Sequence, residues 1–242
     1  MSSPHGSPSS RTSSTASRST ITGSSTGRFR SSRFDVGTIA VVDYGAGNLH
    51  SVRHALELVG GDVVVTTHPE DLREAERIVL PGVGAFGECA AGLRASGFVE
   101  SLDEEVRHRG KPLLGICVGL QLLAREGHEH GVHAGLGWVP GIVRKLEAEA
   151  AGLKIPHVGW NDITATSASR IFEGFRRDTT FYFTHSFHLA LDDPSFEAAY
   201  CEYGGRFTAA VLKDNVVATQ FHPEKSQENG LKLLENFLQW KP

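Results

Sequence analysis

Cys117 closes an apolar run, Leu113-Leu114-Gly115-Ile116, and opens a stretch that reads as a helix from Val118 onward. A strand over Pro112–Ile116 that passes directly into a helix needs a sharp turn at the cysteine, and Gly115 and Gly119 leave room on either side. Such a turn presents its side chain at the end of a sheet, as nucleophile elbows do, here with sulfur in place of a serine oxygen. A free cysteine is only about 3% thiolate at pH 7, and the N-terminus of a following helix raises that fraction. Burial as a small hydrophobe at a strand end is the plainer alternative for a lone cysteine. A cysteine nucleophile also requires a base and a group that orients the base. Gln220-Phe221-His222-Pro223-Glu224-Lys225-Ser226 supplies both in His222 and Glu224, which point to one side if the segment is extended. Cys117, His222 and Glu224 are therefore the candidate catalytic set.

Acyl transfer also needs donors for a developing oxyanion. Pro81-Gly82-Val83-Gly84 follows an apolar strand, at the carboxyl edge where open α/β sheets bind ligands. Two glycines around Val83 let the peptides between them turn an N–H toward the oxyanion, and the Val118 amide is a natural second donor. Gly82, Val83, Gly84 and Val118 form the candidate oxyanion hole. Gln121, about one helical turn past Cys117, is placed to reach a bound substrate, with a generic exposed helical glutamine as the alternative. The turn Tyr44-Gly45-Ala46-Gly47-Asn48 lacks the third glycine of a dinucleotide site and a supporting acidic residue after the second strand, which argues against a nucleotide cofactor. His128, Glu129, His130 and His133 crowd one loop, but nothing nearby completes a metal site. The expectation is a solvated loop, with no metal and no cofactor.

These groups need a sheet to bring them together. Thr38–Asp43 reads as a buried strand, followed by a helix capped by Asn48 with Val52, Ala55, Leu56 and Val59 on one face and Gly60-Gly61 at its end. Val63–Val65 and Arg77–Leu80 are the next strands, and Phe98–Arg109 is a further helix before the Cys117 strand. Alternating strands and helices imply a mostly parallel sheet with helices on both faces, an α/β fold of three layers. From Gly135 to Tyr203 strands and turns dominate, including Ile142–Leu146 and Phe181–His185, which predicts an antiparallel extension of that sheet. Thr208–Leu212 and Val216–Phe221 form a hairpin that delivers His222, and Leu231, Leu234 and Leu238 mark a terminal helix.

Composition sets the boundaries. The chain has 242 residues, and its first 34 hold no Asp, Glu or Lys, only five arginines among many Ser and Thr. Such a stretch cannot bury enough apolar surface to order itself, and it reads as a disordered extension or an over-long start in preference to a transit peptide. The remaining 208 residues, 35–242, are a comfortable length for one domain and carry 19 basic against 28 acidic side chains, a net charge near −9. An acidic domain disfavours nucleic acid as a partner. Without a secretory signal or a membrane-length apolar span, the protein is expected to be soluble and cytoplasmic. Cys89, Cys117 and Cys201 are too few and too scattered for a disulfide framework or a zinc ribbon.

Gly115-Ile116-Cys117-Val118-Gly119-Leu120-Gln121-Leu122-Leu123, followed far downstream by Gln220-Phe221-His222-Pro223-Glu224-Lys225-Ser226, resembles the class I glutamine amidotransferases, the Cys-His-Glu glutaminases. Pro81-Gly82-Val83-Gly84-Ala85-Phe86 and Ile155-Pro156-His157-Val158-Gly159-Trp160-Asn161 narrow the resemblance to the HisH family, glutaminase subunits of imidazole glycerol phosphate synthase. It runs from about Thr38 to Trp240 and implies a flavodoxin-like fold. It further implies that Gln121, His185 and Ser186 hold glutamine. The segment Tyr182-Phe183-Thr184-His185-Ser186-Phe187 is similar to the family's Tyr-Phe-x-His-Ser/Thr-Tyr, with Phe187 replacing the tyrosine. A partner is implied as well: the (β/α)8 cyclase subunit HisF, in a heterodimer, docking near Tyr44, Gly45, Gly47, Asn48, Trp160, Asn161, Tyr182 and Lys225. By resemblance it receives ammonia through an interior channel and converts phosphoribulosyl-formimino-AICAR phosphate into imidazole glycerol phosphate and AICAR.

The expected reaction is attack of the Cys117 thiolate on the side-chain amide of L-glutamine, release of ammonia and hydrolysis of a glutamyl thioester. Three alternatives remain at this level. A related subunit serves another acceptor, in pyridoxal phosphate synthesis, which Pro81-Gly82-Val83-Gly84-Ala85-Phe86 disfavours, or in nucleotide-sugar amidation, which would look nearly the same. A stand-alone hydrolase of γ-glutamyl bonds needs no partner, and a non-catalytic module needs no cysteine.

Overall fold

A computed structural model of the chain describes residues 37–166, 170–176 and 179–242. The extension 1–34 and its boundary with the domain lie outside the described residues. In chain order the strands are β1 (Thr38–Val42), β2 (Asp62–Thr66), β3 (Arg77–Gly82), β4 (Leu113–Cys117), β5 (Ala124–Gly127), β6 (His133–Ala134), β7 (Val139–Lys145), β8 (His157–Ala165), β9 (Thr179–His185), β10 (Phe187–Leu191), β11 (Glu197–Glu202), β12 (Arg206–Lys213) and β13 (Val216–Thr219). The α-helices are α1 (Leu49–Leu58), α2 (Phe86–Ala95), α3 (Phe98–Leu102), α4 (Val118–Leu122) and α5 (Gln227–Gln239).

β3 and β4 are buried at every residue, and apart from Arg77 at the start of β3 neither carries a charged or polar side chain, as a sheet covered on both faces requires. β2, β1, β3, β4 and β13 run parallel in that order, with Ile39 opposite Arg77, Gly82 opposite Cys117 and Ala218 opposite Gly115. α1 buries Val52, Ala55 and Leu56, the stripe read from the sequence, and packs with α5; α2 packs on α3 and α4. Val52 and Leu56 each contribute roughly 1.5–3 kcal/mol when fully buried. Asn48 caps α1 with its side chain 3.4 Å from the Ser51 amide. The helix expected over Phe98–Arg109 is in two parts, α3 and a π-helical segment Asp103–His108, and Gly110 at φ +74 ends it.

Past β13 the sheet continues through β12, β11, β8 and β9, all antiparallel. The expectation of a single extension is only partly correct. β7 and β10 leave the main sheet and join β5 and β6 in a separate four-stranded sheet, ordered β10-β7-β5-β6. The start of β7 alternates buried and open residues, the signature of a sheet with one solvated face. The chain passes from one sheet to the other at Ser186, between β9 and β10.

Candidate active site

β4 gives way to α4 with no loop, and the turn falls on Cys117, whose φ of +55° and ψ of −107° are strained for a residue with a β-carbon. The neighbouring glycines are there for space. A β-carbon at Gly119 would lie 1.9 Å from the Leu80 carbonyl oxygen, and one at Gly115 would lie 2.8 Å from the Ala218 side chain. Helix α4 therefore sits directly on β3 and aims its first turn at the sulfur.

His222 comes three residues after the end of β13, the strand paired to β4. Its amide donates to the Tyr182 carbonyl at 2.9 Å, and the Ser226 hydroxyl donates to its carbonyl at 2.6 Å. The segment is not extended throughout, as the sequence reading supposed. Pro223–Lys225 is a 3₁₀ turn, and this turn brings Glu224 back beside the imidazole. His222 Nδ1–H donates to Glu224 Oε1 at 2.8 Å, with both side chains all but buried. That fixes the tautomer and leaves Nε2, which has no other hydrogen-bond partner among the described residues, for the sulfur. Burial alone would pull the His222 imidazolium down, but Cys117 and Glu224 outweigh it and push it up to about 10. Burial instead pushes the Cys89 and Cys201 thiols up, to about 11 and about 12.

These groups open onto a cavity of about 460 Å³. Of the sequence candidates, Cys117, His222, Val83, Gly84, Val118, Gln121, His185 and Ser186 line it, and Glu224 stands behind His222. Gly84, at φ +109, supplies the conformational freedom expected of this turn. Gly82 is a correction: it does not line the cavity. It ends β3, and a β-carbon there would lie 2.7 Å from the Tyr44 hydroxyl and 2.9 Å from Val118, so its role is close packing. Gln121 is buried instead of exposed, donating from Nε2 to the Phe187 carbonyl at 2.9 Å and to Gln220 Oε1 at 3.1 Å.

The residues expected at a partner surface divide. Tyr44 is a second correction: its side chain is buried in the core, because the turn after β1 folds it under Gly82. Gly45 is exposed, Gly47 and Asn48 are half-buried, and Asn48 and Lys225 reach the cavity rim. Trp160 is 47% exposed and meets Tyr182 edge-on across β8 and β9, with Lys225 Nζ over the Tyr182 ring. Asn161 turns inward, its amide donating to the Glu202 carbonyl.

Two groups escaped the sequence reading, one buried behind the nucleophile and one on the cavity wall. Gln220 Nε2 lies 3.7 Å from Cys117 Sγ, and its signal was its place two residues before His222. Glu129 lines the cavity and accepts from the Phe86 amide at the start of α2, at 2.7 Å. Sequence gave no sign of this, because the loop is 43 residues from that helix. In the same loop region His128 pairs with Glu126, and among the described residues no three metal-ligating side chains cluster.

The model of the glutamine amidotransferase class-I family matches residues 40–240, and the chain belongs to that family. Within it, imidazole glycerol phosphate synthase subunit HisH of Caulobacter vibrioides is 48% identical over 211 residues, 85% of this chain and 99% of that protein. The subunit of the same name from Rhodospirillum rubrum is 48% identical over 212 residues, 84% and 99%. Among solved structures, PurLQS from Thermotoga maritima superposes with a TM-score of 0.69 at 22% identity, covering 84% of this chain and 98% of that one. A glutamine amidotransferase superposes with a TM-score of 0.65 at 21% identity, covering 84% and 98%. These two likenesses establish the shared α/β fold. Among the described residues no helix is long and apolar enough to cross a membrane.

Proposed function

We propose that this chain is the glutaminase subunit of an imidazole glycerol phosphate synthase, hydrolysing L-glutamine to L-glutamate and ammonia for a cyclase subunit, HisF, in histidine biosynthesis. Cys117 Sγ attacks the side-chain amide carbon of glutamine, forming a C–S bond. The oxyanion is met by N–H groups of the Val83–Gly84 turn and of Val118. His222 gives its Nε2 proton to the departing nitrogen, the C–N bond breaks, and ammonia leaves a glutamyl thioester. Water then attacks, His222 takes its proton, and the C–S bond breaks to give glutamate and the free thiol. Glu224 keeps the imidazole in the required tautomer. Gln121 and Ser186 hold the amino-acid end, His185, whose two ring nitrogens are taken by the Phe187 carbonyl and His157, forms the wall beside them, and Glu129 is the acidic group on the cavity wall suited to its ammonium.

The single observation that carries this reading is a cysteine at positive φ, beside a buried His222–Glu224 pair, at the mouth of a cavity of about 460 Å³. The partner reading draws support from the HisH relatives and from the exposed Trp160, in contact with Tyr182 and Lys225 at the cavity rim. An exposed aromatic with a neighbouring cation suits a protein interface. Gly45, Gly47 and Asn48 extend that surface, and Tyr44 and the inward-turned Asn161 support it from beneath. The test is a glutaminase assay of the purified chain with and without a cyclase subunit and its ligand. Turnover is expected to rise with both present, and Cys117→Ser is expected to abolish glutamine use while ammonia still drives the cyclase. Unchanged turnover on adding the cyclase overturns the partner reading, and full activity of Cys117→Ser overturns the mechanism.

A further inference from the structure

His185 faces the cavity, and behind it stands His157 of β8, buried and stacked on Tyr203 and Phe183 with ring centroids 3.9 and 4.8 Å away. The proton positions on this pair follow from both ends. At the outer end Asn161 Oδ1 accepts from the Asp162 amide at 2.9 Å, so Nδ2 is the donor. Nδ2 donates to the Glu202 carbonyl at 3.1 Å and lies 3.3 Å from His157 Nε2, which must therefore accept. At the inner end the Phe187 carbonyl can only accept, so His185 Nδ1, 2.9 Å away, carries the proton and His185 Nε2 is bare. The central contact, His157 Nδ1 to His185 Nε2 at 3.1 Å, is then satisfied one way: His157 donates. Both ends demand the same neutral tautomers. Burial acts in the same sense, pushing His157 down to about 4 and His185 down to about 3. A second proton on either ring would set two N–H groups head to head.

We propose that His157 is a positioning residue for the glutamine site: its Nδ1–H locks His185 into the tautomer that binds the Phe187 carbonyl, the same carbonyl that receives Gln121 Nε2. One donor behind the wall thereby sets His185, Phe187 and Gln121 together, with Ser186 carried between the first two. The binding part of the inference rests on the glutaminase reading.

His157→Phe keeps a ring for the stack and removes the donor, and His157→Asn restores a donor with an amide N–H. In the full chain, ¹⁵N spectra of the imidazoles are expected to show His185 protonated at Nδ1 and bare at Nε2. His157→Phe is expected to lose that pattern and, in a Cys117→Ser background, to weaken L-glutamine binding by about tenfold in calorimetry. His157→Asn is expected to recover both, which general destabilisation of the core would not allow. A bare Nδ1 on His185 in the wild-type chain overturns the proposal. So does His157→Phe with unchanged tautomer and affinity, or, should that variant not fold, His157→Asn that folds but has lost the tautomer. If the parent Cys117→Ser chain binds no glutamine, the glutaminase reading falls, and the spectra still decide the lock.

Discussion

The nucleophile and its base come from two differently built regions. In the parallel region, β3 and β4 are fully buried, and Cys117 is placed by its own sequence neighbours, through a strained backbone and an α4 that rests against the Leu80 carbonyl. At the seam where the parallel strands meet the antiparallel ones, His222 lies beyond the end of β13 and is held by groups from other elements. The Tyr182 carbonyl accepts its amide, and Gly230 lets α5 close on Pro223, where a β-carbon would lie 1.7 Å from the carbonyl oxygen. One region positions by rigidity along the chain, the other by convergence across it. Damage to the first should cost the fold, and damage to the second should cost mainly rate.

The largest expected effect tests whether the regions meet in one reaction. Cys117→Ala should reduce glutamine hydrolysis roughly 10⁴-fold or more, with the circular dichroism spectrum unchanged. Next comes the rigidity itself. Gly119→Ala places a methyl group against backbone and should destabilise the protein by ~3 kcal/mol in urea unfolding. If it costs nothing, the account of α4 seating on β3 is wrong.

In the converging region, Glu224→Gln should slow hydrolysis about 10²-fold while leaving the midpoint of unfolding at pH 7 within a few degrees. The same variant has a pH signature. His222 is raised from 6.5 to about 10, so its contribution to stability is complete below pH 6.5 and is lost as pH rises through about 10. Unfolding free energy measured from pH 7 to 10 should fall in the parent chain and fall less in Glu224→Gln. The smallest effect is expected from Ser226→Ala, which removes a hydroxyl donating to the His222 carbonyl at 2.6 Å and accepting from the Tyr182 amide at 3.0 Å. A loss of ~1 kcal/mol in denaturant unfolding is expected, with a modest drop in rate. A drop as large as that of Glu224→Gln would show that the base is far less firmly held than the nucleophile.

The sequence by itself determined whatever depends on neighbours along the chain. The apolar runs of β1, β3 and β4, the α1 stripe of Val52, Ala55 and Leu56, the elbow at Cys117 and the Asp214-Asn215 hairpin were all legible. In each the period or a glycine's conformational freedom acts within a few residues. The pairing of Cys117 with His222 was inferred from chemical need and family resemblance, because no local rule spans 104 intervening positions. Only the tertiary structure decided the rest. It turned Glu224 back through a 3₁₀ turn, buried Tyr44, removed Gly82 from the cavity wall and moved β7 and β10 into a second sheet. It also brought Glu129, Gln220 and the His157–His185 pair behind or beside the cavity. Which polar group meets which, once buried, depends on partners that arrive from distant segments, and such partners leave no periodicity in the sequence to read.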